Sequence, residues 1–199
     1  MTNCVREIVF ATNNAHKLSE LRAIVGDSIR ILSLADIGCH DDIPETGDTL
    51  EENSMLKARW VKDRYGYDCV ADDTGLEVEC LGGAPGVRSA RYAPGDGHDS
   101  EANMRLLLAN MEGASNRRAR FRTVMTLITD TDGCRSVDGI VGGTISTAPA
   151  GHNGFGYDPV FVPDEADGLT FAQMSTESKN DISHRARAAR GLMQLLNKY

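Results

Sequence analysis

The sequence predicts an α/β fold built on a mixed β-sheet with flanking helices. Three patterns indicate this class: apolar runs of strand length alternate with helical spacings, two long strand-like segments adjoin across a turn, and the last helix carries one apolar stripe. A chain of 199 residues can bury its own core, and we expect one domain over residues 1–199.

The chain begins with a strand followed by a helix. Residues 7–11 form an apolar run that ends at a polar turn, and apolar residues then recur at helical spacing over 17–25. A second helix is predicted to begin at Thr49, because Thr49 and Glu52 form a capping box whose side chains accept from free amides of the first turn. Gly66 is expected to end this helix.

The middle of the chain is predicted to be mostly irregular. Residues 69–71 form a brief apolar strand that stops at Asp72, and the glycine-rich stretch 75–93 is typical of a loop. A helix follows, with an apolar face formed by Met104, Leu107, Leu108 and Met111.

The second half of the chain contains a predicted hairpin and a final helix. Two strands over 120–129 and 139–146 are expected to pair across the turn Asp130-Thr131-Asp132-Gly133. The last helix begins near Ser183. Its apolar stripe, expected to pack on a sheet, is formed by Ala186, Ala189, Met193 and Leu196.

The net charge of −8 argues against nucleic-acid binding, which depends on clustered lysines and arginines. A free nucleotide needs only a few cations in one cleft, and its magnesium ion is attracted to acidic groups. The five cysteines are scattered and lack a C-x-x-C pair, which predicts neither disulfides nor a zinc site. The apolar run Ile8–Ala11 is too short for a signal peptide or a membrane span, so we expect a cytoplasmic protein without a membrane partner.

Four polar clusters stand where strands or loops end, which is where open α/β sheets bind ligands. The first is a polar turn at a helix start, whose free amides and dipole favour a phosphate, with a lysine adding a full charge. It comprises Thr12, Asn13, Asn14, Ala15, His16 and Lys17. An asparagine N-cap followed by an exposed lysine explains the same pattern.

The second cluster is Asp72-Asp73-Thr74, with Glu45 as a further carboxylate from a distant segment. One or two carboxylates plus substrate phosphates suffice to hold magnesium in its octahedral shell of oxygens. Adjacent residues of a strand point to opposite faces, so we expect only one of the two aspartates to face a ligand. The alternative is a pair of aspartates that cap a turn.

The third cluster lies in the loop over residues 151–159. Its three glycines let the backbone approach a flat ligand, Phe155 and Tyr157 can stack on a base, and Asp158 can accept a hydrogen bond from it. An ordinary hairpin connection is the alternative.

The fourth cluster, residues 175–185, leads into the last helix. Lys179 and Arg185 can meet phosphate or carbonyl oxygens, and His184 can donate from a ring nitrogen. A solvated charged face is the alternative.

In order and wording these segments resemble the inosine triphosphate pyrophosphatase family over nearly the whole chain. The blocks that carry the resemblance are FATNNAHKLSEL, ETG, LKAR, ADDTGLEV, LGGAPGVRSARY, GFGYDPVF and SHRARA. The resemblance implies two lobes around a long mixed sheet, a substrate cleft between the lobes, and a homodimer. It also implies magnesium-dependent hydrolysis of non-standard purine nucleoside triphosphates, such as ITP, dITP and XTP, to the monophosphate and pyrophosphate.

The resemblance implies roles for individual residues. Asp73 would accept the proton of the attacking water and bind magnesium with Glu45. Whether Asp72 also binds the metal stays open. The implied substrate-binding residues are Thr12, Asn13, Asn14, Ala15, His16, Lys17, Lys57, Thr74, Phe155, Gly156, Tyr157, Asp158, Lys179, His184 and Arg185.

Two positions depart from the family pattern. Asn13 stands where many members have glycine, and asparagine tolerates a left-handed backbone. Thr74 stands where serine is frequent and keeps the hydroxyl.

Selectivity would require donors to the 6-keto oxygen of the purine, for which His184 and Arg185 are the candidates.

Two other functions are compatible with the sequence. One is a pyrophosphatase for pyrimidine or modified nucleotides. The other is a nucleotide-binding sensor without catalysis, against which the presence of both Glu45 and Asp73 weighs.

Overall fold

The computed structural model describes residues 6–26, 29–95, 99–131 and 133–196. The helices are α1 (Ala15–Val25), α2 (Leu50–Tyr65), α3 (Ser100–Asn110), α4 (Thr176–Ile182) and α5 (His184–Leu196). The strands are β1 (Arg6–Phe10), β2 (Ile29–Leu32), β3 (Cys69–Val78), β4 (Pro85–Gly86), β5 (Arg118–Thr129), β6 (Gly133–Ile145) and β7 (Phe161–Pro163). Short 3-10 helices lie at Ala35–Ile37, Glu79–Leu81, Ser89–Arg91 and Phe171–Gln173.

The strands of the described residues form one mixed seven-stranded sheet, which confirms the predicted fold class. Neighbouring strands follow the order β2-β1-β3-β5-β6-β7, and β4 pairs with β3 off this path. β1 is parallel to β2 and to β3, with Val9 opposite both Leu32 and Cys69. β4 is antiparallel to β3, and β7 is antiparallel to β6.

The predicted hairpin strands β5 and β6 are neighbours in this sheet. β6 is longer than predicted, because it begins at Gly133, the last residue of the predicted turn, rather than at residue 139. Asp132 of the turn lies outside the described residues.

The chain separates into two compact units. The first comprises Met1–Asp73, Thr123–Gly139 and Arg185–Tyr199, and the second comprises Thr74–Arg122 and Ile140–His184.

The first unit has a core on each face of its parallel strands. In β1 and the residue after it, Ile8 and Phe10 belong to a core that includes residues of α1 and α5, whereas Val9 and Ala11 belong to a core that includes residues of α2. Successive residues of a strand point to opposite faces, and parallel strands covered on both faces are apolar throughout. This double burial explains the uninterrupted apolar run at the start of the sequence.

The second unit has one core that is rich in aromatic rings. The ring centroids of Phe121 and Phe161 are 4.7 Å apart, and those of Phe161 and Phe171 are 5.2 Å apart. Tyr157 belongs to the same core and is 5% exposed.

The helix ends agree with the local sequence signals. The Glu52 amide donates to Thr49 Oγ1 at 3.1 Å and the Thr49 amide donates to Glu52 Oε2 at 3.2 Å, which confirms the capping box. Gly66 ends α2 with a φ of 76°, in the left-handed region that favours glycine. The predicted stripe of α5 is buried at Ala186, Ala189 and Leu196, with Met193 packed partly against the same core as Ala189.

The prediction for the middle of the chain is wrong in one respect. β3 does not stop at Asp72 but continues to Val78, and residues 75–93 contain the end of β3, the short strand β4 and two 3-10 helices. Buried charges are tolerated when partners compensate them, and both aspartates of β3 have such partners.

Candidate active site

Glu45 and Asp73 contact the same ammonium group in the first unit. Lys57 Nζ is 2.6 Å from Glu45 Oε1 and 3.3 Å from Asp73 Oδ1. Lys57 and Asp73 are 7% and 8% exposed. Two acids that are distant in the sequence therefore converge on one buried cation, as expected if they form one site.

Asn53 joins the segment of Glu45 to Asp73. Its Nδ2 donates to Asp73 Oδ2 at 3.4 Å, and its Oδ1 accepts from the Gly47 amide at 2.8 Å. A Cβ atom on Gly47 would lie 2.9 Å from Asn53 Oδ1, so a side chain there would push the segment away from α2. The sequence analysis missed Asn53, although it precedes Lys57 by one helical turn and so shares its face of α2.

The pKa values in this cluster follow from burial and charge. Burial raises the pKa of Asp73, and the attraction of Lys57 offsets this only in part. Burial alone would lower the pKa of Lys57, but the carboxylates of Asp73 and Glu45 outweigh it and raise that pKa. A carboxylate with a raised pKa is a better proton acceptor than a free aspartate, which suits a general base.

Asp72 has different partners from its neighbour. Its Oδ1 accepts from Lys17 Nζ at 3.0 Å, and its Oδ2 accepts from Arg185 Nε at 3.3 Å. The Arg185 guanidinium also donates from Nη1 to Glu20, which follows Lys17 by three residues on α1. Cations and acids thus alternate from Lys17 through Asp72 and Arg185 to Glu20.

This ion-pair network changes the interpretation of Asp72 and Arg185. Burial would raise the pKa of Asp72, but Lys17 and Arg185 outweigh it and hold that pKa well below its ordinary value. Both carboxylate oxygens of Asp72 accept from cations, which favours Asp73 over Asp72 as a metal ligand. Arg185 is 2% exposed and its guanidinium pairs with acids of the first unit, so its packing does not support the direct contact with a base expected from the sequence.

The turn before α1 contains the asparagine cap that was the alternative to a phosphate site. Asn14 Oδ1 accepts from the amides of His16 and Lys17 at 3.0 and 3.2 Å, and Thr12 Oγ1 accepts from the Asn14 amide at 3.2 Å. These three amides therefore already donate within the turn. Burial lowers the pKa of Lys17, and the neighbouring Asp72 carboxylate offsets this shift only in part.

The other residues of this turn are accessible. Asn13, Ala15 and His16 are exposed at the start of the helix. Asn13 does not use the left-handed conformation invoked for it, since Asp167 is the one non-glycine residue with positive φ in the part of the chain that the structure describes.

In the second unit the structure brings Phe155, Asp158 and Lys179 together. Asp158 Oδ2 accepts from the Phe155 amide and from Lys179 Nζ, both at 2.8 Å. Lys179 Nζ also lies 5.1 Å from the centroid of the Phe155 ring. Asp158 is 3% exposed, so it holds the loop to α4 rather than presenting its Oδ2 to a base.

The glycines and the tyrosine of this loop serve the protein's own packing. Gly154 has a φ of 75°, and a Cβ atom there would lie 2.0 Å from Asp158 Oδ2. The Tyr157 hydroxyl donates to the Ser89 carbonyl at 2.9 Å, and its ring lies in the core, so the stacking role expected for Tyr157 is not supported. Gly156 differs, because a Cβ atom there would meet nothing within 4 Å.

His184 lies in the same unit, next to Phe121 and Phe171. Its ring stacks on Phe121 with centroids 4.6 Å apart and an interplanar angle of 18°, and it lies 6.2 Å from the Phe171 ring. Lys179 Nζ is 5.7 Å from the centroid of Phe171, which therefore neighbours both predicted site residues. Thr74 is a half-buried residue of β3 that begins this unit.

The residues of this cluster fit a magnesium site with two protein carboxylates. Among the described residues, no group of three or more His, Cys, Asp or Glu side chains is placed to hold a metal. Magnesium requires only one or two carboxylates when substrate phosphates and water complete its shell. Glu45 and Asp73 provide such a pair, and their oxygens already converge on a cation.

Two further observations concern the whole of the described chain. Cys39, Cys69, Cys80 and Cys134 are free thiols, whereas Cys4 lies outside the described residues. No helix over residues 6–26, 29–95, 99–131 or 133–196 is both long and apolar enough to span a bilayer.

The fold and this cluster define a mixed α/β protein in which two carboxylates, Glu45 and Asp73, converge on the buried Lys57 at strand β3. A sequence model of the Ham1 family matches residues 8–195, and the chain belongs to that family. The dITP/XTP pyrophosphatase of Porphyromonas gingivalis is 51% identical over 193 residues, covering 96% of this chain and 98% of that protein. The dITP/XTP pyrophosphatase of Flavobacterium johnsoniae is 49% identical over 191 residues, covering 96% and 97%.

Solved structures agree with this assignment. The Staphylococcus aureus Ham1 protein has a TM-score of 0.87 and 37% identity to this chain, covering 97% of this chain and 99% of that one. The family resemblance inferred from the sequence is thereby confirmed.

Proposed function

We propose that this protein hydrolyses dITP, XTP and ITP to the nucleoside monophosphate and pyrophosphate, with magnesium as cofactor. The observation that carries the proposal is the convergence of Glu45 and Asp73 on Lys57, at 2.6 and 3.3 Å. A catalyst for this reaction needs an acidic pair for the metal and cations for the leaving group. The naming of relatives as dITP/XTP pyrophosphatases supports the substrate class.

Glu45 and Asp73 are the residues that would hold magnesium. When bound, magnesium would polarise the phosphate oxygens and lower the pKa of a coordinated water.

Asp73 would accept the proton of the water that attacks the α-phosphorus. Its pKa is raised by burial, which brings its proton affinity closer to what neutral pH requires. Lys17 and Lys57 would neutralise the negative charge that develops on the departing pyrophosphate. The products would be a nucleoside monophosphate and pyrophosphate.

Phe155 would provide the stacking surface for the purine. It is half-buried, its amide is held by Asp158, and Lys179 Nζ lies beside its ring. A positioned aromatic ring of this kind binds bases by stacking. His184, whose ring stacks on Phe121, would donate to the 6-keto oxygen, and an adenine in that place would leave the donor without an acceptor. Such a loss costs about 1 to 3 kcal/mol, or a preference of roughly 5- to 150-fold.

A substrate panel tests the proposal. Pyrophosphate and orthophosphate release would be measured from dITP, XTP, dGTP, dATP and dUTP, each with magnesium and with EDTA. We expect pyrophosphate from dITP and XTP with magnesium only, and slow turnover of dATP and dUTP. Equal rates on all five nucleotides would refute the selectivity, and orthophosphate as the first product would refute the reaction class.

The same panel separates the alternatives. A pyrophosphatase for pyrimidine or modified nucleotides would prefer dUTP or a related compound. A nucleotide-binding sensor would bind dITP without releasing any product, which the acidic pair argues against. The homodimer and the cytoplasmic location stay predictions.

A further inference from the structure

Lys57 lies where the oxygens of the two proposed metal ligands converge. Its Nζ contacts Glu45 Oε1 at 2.6 Å and Asp73 Oδ1 at 3.3 Å, and the residue is 7% exposed. An ammonium is a compact point charge, and this one already satisfies the carboxylates that a divalent cation would need.

The two acids and the lysine differ in how firmly they are held. Asp73 belongs to β3 and accepts from Asn53, which is 1% exposed and also accepts from the Gly47 amide. Asn53 thus holds the Asp73 carboxylate and ties the segment that carries Glu45 to α2. Lys57 reaches them with a flexible four-carbon stem from α2, and so its ammonium is the group that can be moved at the smallest cost.

We propose that the Lys57 ammonium competes with the divalent cation for Glu45 and Asp73, so that metal binding displaces it and makes it available to phosphate. This inference rests on the metal assignment of the proposed function. Before the metal binds, the ammonium offsets part of the negative charge of the acidic pair and compensates the buried Asp73 carboxylate. Once displaced, the same positive charge favours an anion. Metal and nucleotide then bind with positive coupling. Metal binding displaces the Lys57 ammonium toward the phosphates, and nucleotide binding favours the same displaced position of the ammonium.

Removal of a competing lysine changes the metal affinity in the opposite direction to removal of a supporting lysine. A lysine that only supports the site would, when removed, weaken metal binding or leave it unchanged. A competing lysine, when removed, makes metal binding tighter. Lys17 provides the control, because it is a half-buried lysine of the predicted site that contacts Asp72, at 3.0 Å.

The test is a titration with Mn²⁺ alone, without nucleotide, followed by the paramagnetic signal of the free ion and by calorimetry. Wild type, Lys57→Met, Lys57→Arg, Lys17→Met and Glu45→Gln would be compared. We expect Lys57→Met to lower the Kd for Mn²⁺ about tenfold or more, as for the loss of a close, partly buried charge partner. We expect less than about a threefold change in Lys17→Met, because the Lys17 ammonium pairs with Asp72 and a charge interaction weakens with distance.

The remaining variants complete the test. Lys57→Arg keeps the cation and should retain the wild-type Kd, and Glu45→Gln should bind Mn²⁺ more weakly. The competition is refuted if Lys57→Met binds Mn²⁺ no more tightly than wild type, or if Lys17→Met tightens binding equally. If the wild type nevertheless releases pyrophosphate in a magnesium-dependent reaction, the proposed function holds and only the competition is refuted.

A second measurement uses the wild type, so that the proposal is still tested if the Lys57→Met variant does not fold. Side-chain ammonium signals of nitrogen-15-labelled wild type would be recorded during a titration with Mg²⁺. We expect the Lys57 signal to shift or broaden, while Lys62, which contacts Asp68 and Asp130 at 3.2 and 2.9 Å, stays constant. An unchanged Lys57 signal at saturating Mg²⁺ overturns the inference.

Discussion

Asp72 and Asp73 are consecutive residues of β3 whose carboxylates bind different lysines. Asp72 pairs with Lys17 of α1, at 3.0 Å, and Asp73 pairs with Lys57 of α2, at 3.3 Å. The alternation of a strand is the cause, because the core that includes Val70 also includes residues of α1 and α5, whereas the core with Ala71 includes residues of α2. Asp72 thus joins an ion-pair network with Lys17 and Arg185, whereas Asp73 pairs with Lys57.

Replacing Asp73 by asparagine should abolish most of the turnover and preserve the fold. The amide keeps the shape of the side chain but cannot accept the proton of the attacking water, which removes about a hundredfold to ten-thousandfold in rate. Pyrophosphate release from dITP measures the loss, and circular dichroism checks the fold. A variant that keeps more than half of the wild-type rate would remove Asp73 from the mechanism.

Replacing Asp72 by asparagine should destabilise the protein instead. The buried Arg185 and the half-buried Lys17 would lose their shared counter-charge, and the loss of one partner from a buried ion pair costs about 3 to 5 kcal/mol. Urea denaturation measures the free energy of unfolding. Glu20→Gln is the control and should cost less, since the Glu20 side chain is more exposed, at 13% against 1% for Asp72. Equal losses in both variants would contradict the central place of Asp72 in the network.

Replacing Gly154 by alanine should destabilise the loop that carries Phe155. A Cβ atom at Gly154 would collide with Asp158 Oδ2, and the positive φ adds strain, for a total of about 1 to 3 kcal/mol. Gly156→Ala is the matched control, because Gly156 also has a positive φ of 65° but open space around its Cβ position. Thermal unfolding compares the two variants. We expect Gly154→Ala to be clearly the less stable one, and the reverse order would contradict the packing described.

Replacing Phe155 by alanine should raise the KM for dITP with little change in stability. Stacking of a base on an aromatic ring is worth about 1 to 3 kcal/mol, which corresponds to roughly a 5- to 150-fold weaker interaction. Tyr157→Phe should show the opposite pattern. It removes the hydrogen bond to the Ser89 carbonyl, at a cost of about 1 kcal/mol, and should leave the KM unchanged. A raised KM in Tyr157→Phe would show that the Tyr157 hydroxyl contributes to substrate binding.

Features of the fold that depend on neighbouring residues could be predicted from the sequence. The capping box at Thr49 and Glu52, the glycine that ends α2 and the opposite faces of Asp72 and Asp73 each follow from local geometry. The asparagine cap at Asn14 was also available as an alternative, because an Asn before a helix commonly accepts from its first amides.

The features that the sequence did not reveal depend on partners far along the chain. Asp72 accepts from residues 55 positions before it and 113 positions after it, so its burial and the continuation of β3 could not follow from the local pattern. The same holds for Arg185. As a polar residue beside His184 it was a reasonable candidate for base recognition, and only the positions of Glu20 and Asp72 assign it to ion pairing.

The most direct test of the proposed reaction is the fate of the oxygen supplied by water. Hydrolysis of dITP would be run with magnesium in ¹⁸O-labelled water, and the products would be separated and weighed by mass spectrometry. Attack at the α-phosphorus, with a proton passed to Asp73, predicts one labelled oxygen in the monophosphate and none in pyrophosphate. Label in pyrophosphate or in released orthophosphate, with an unlabelled nucleotide product, would contradict the account.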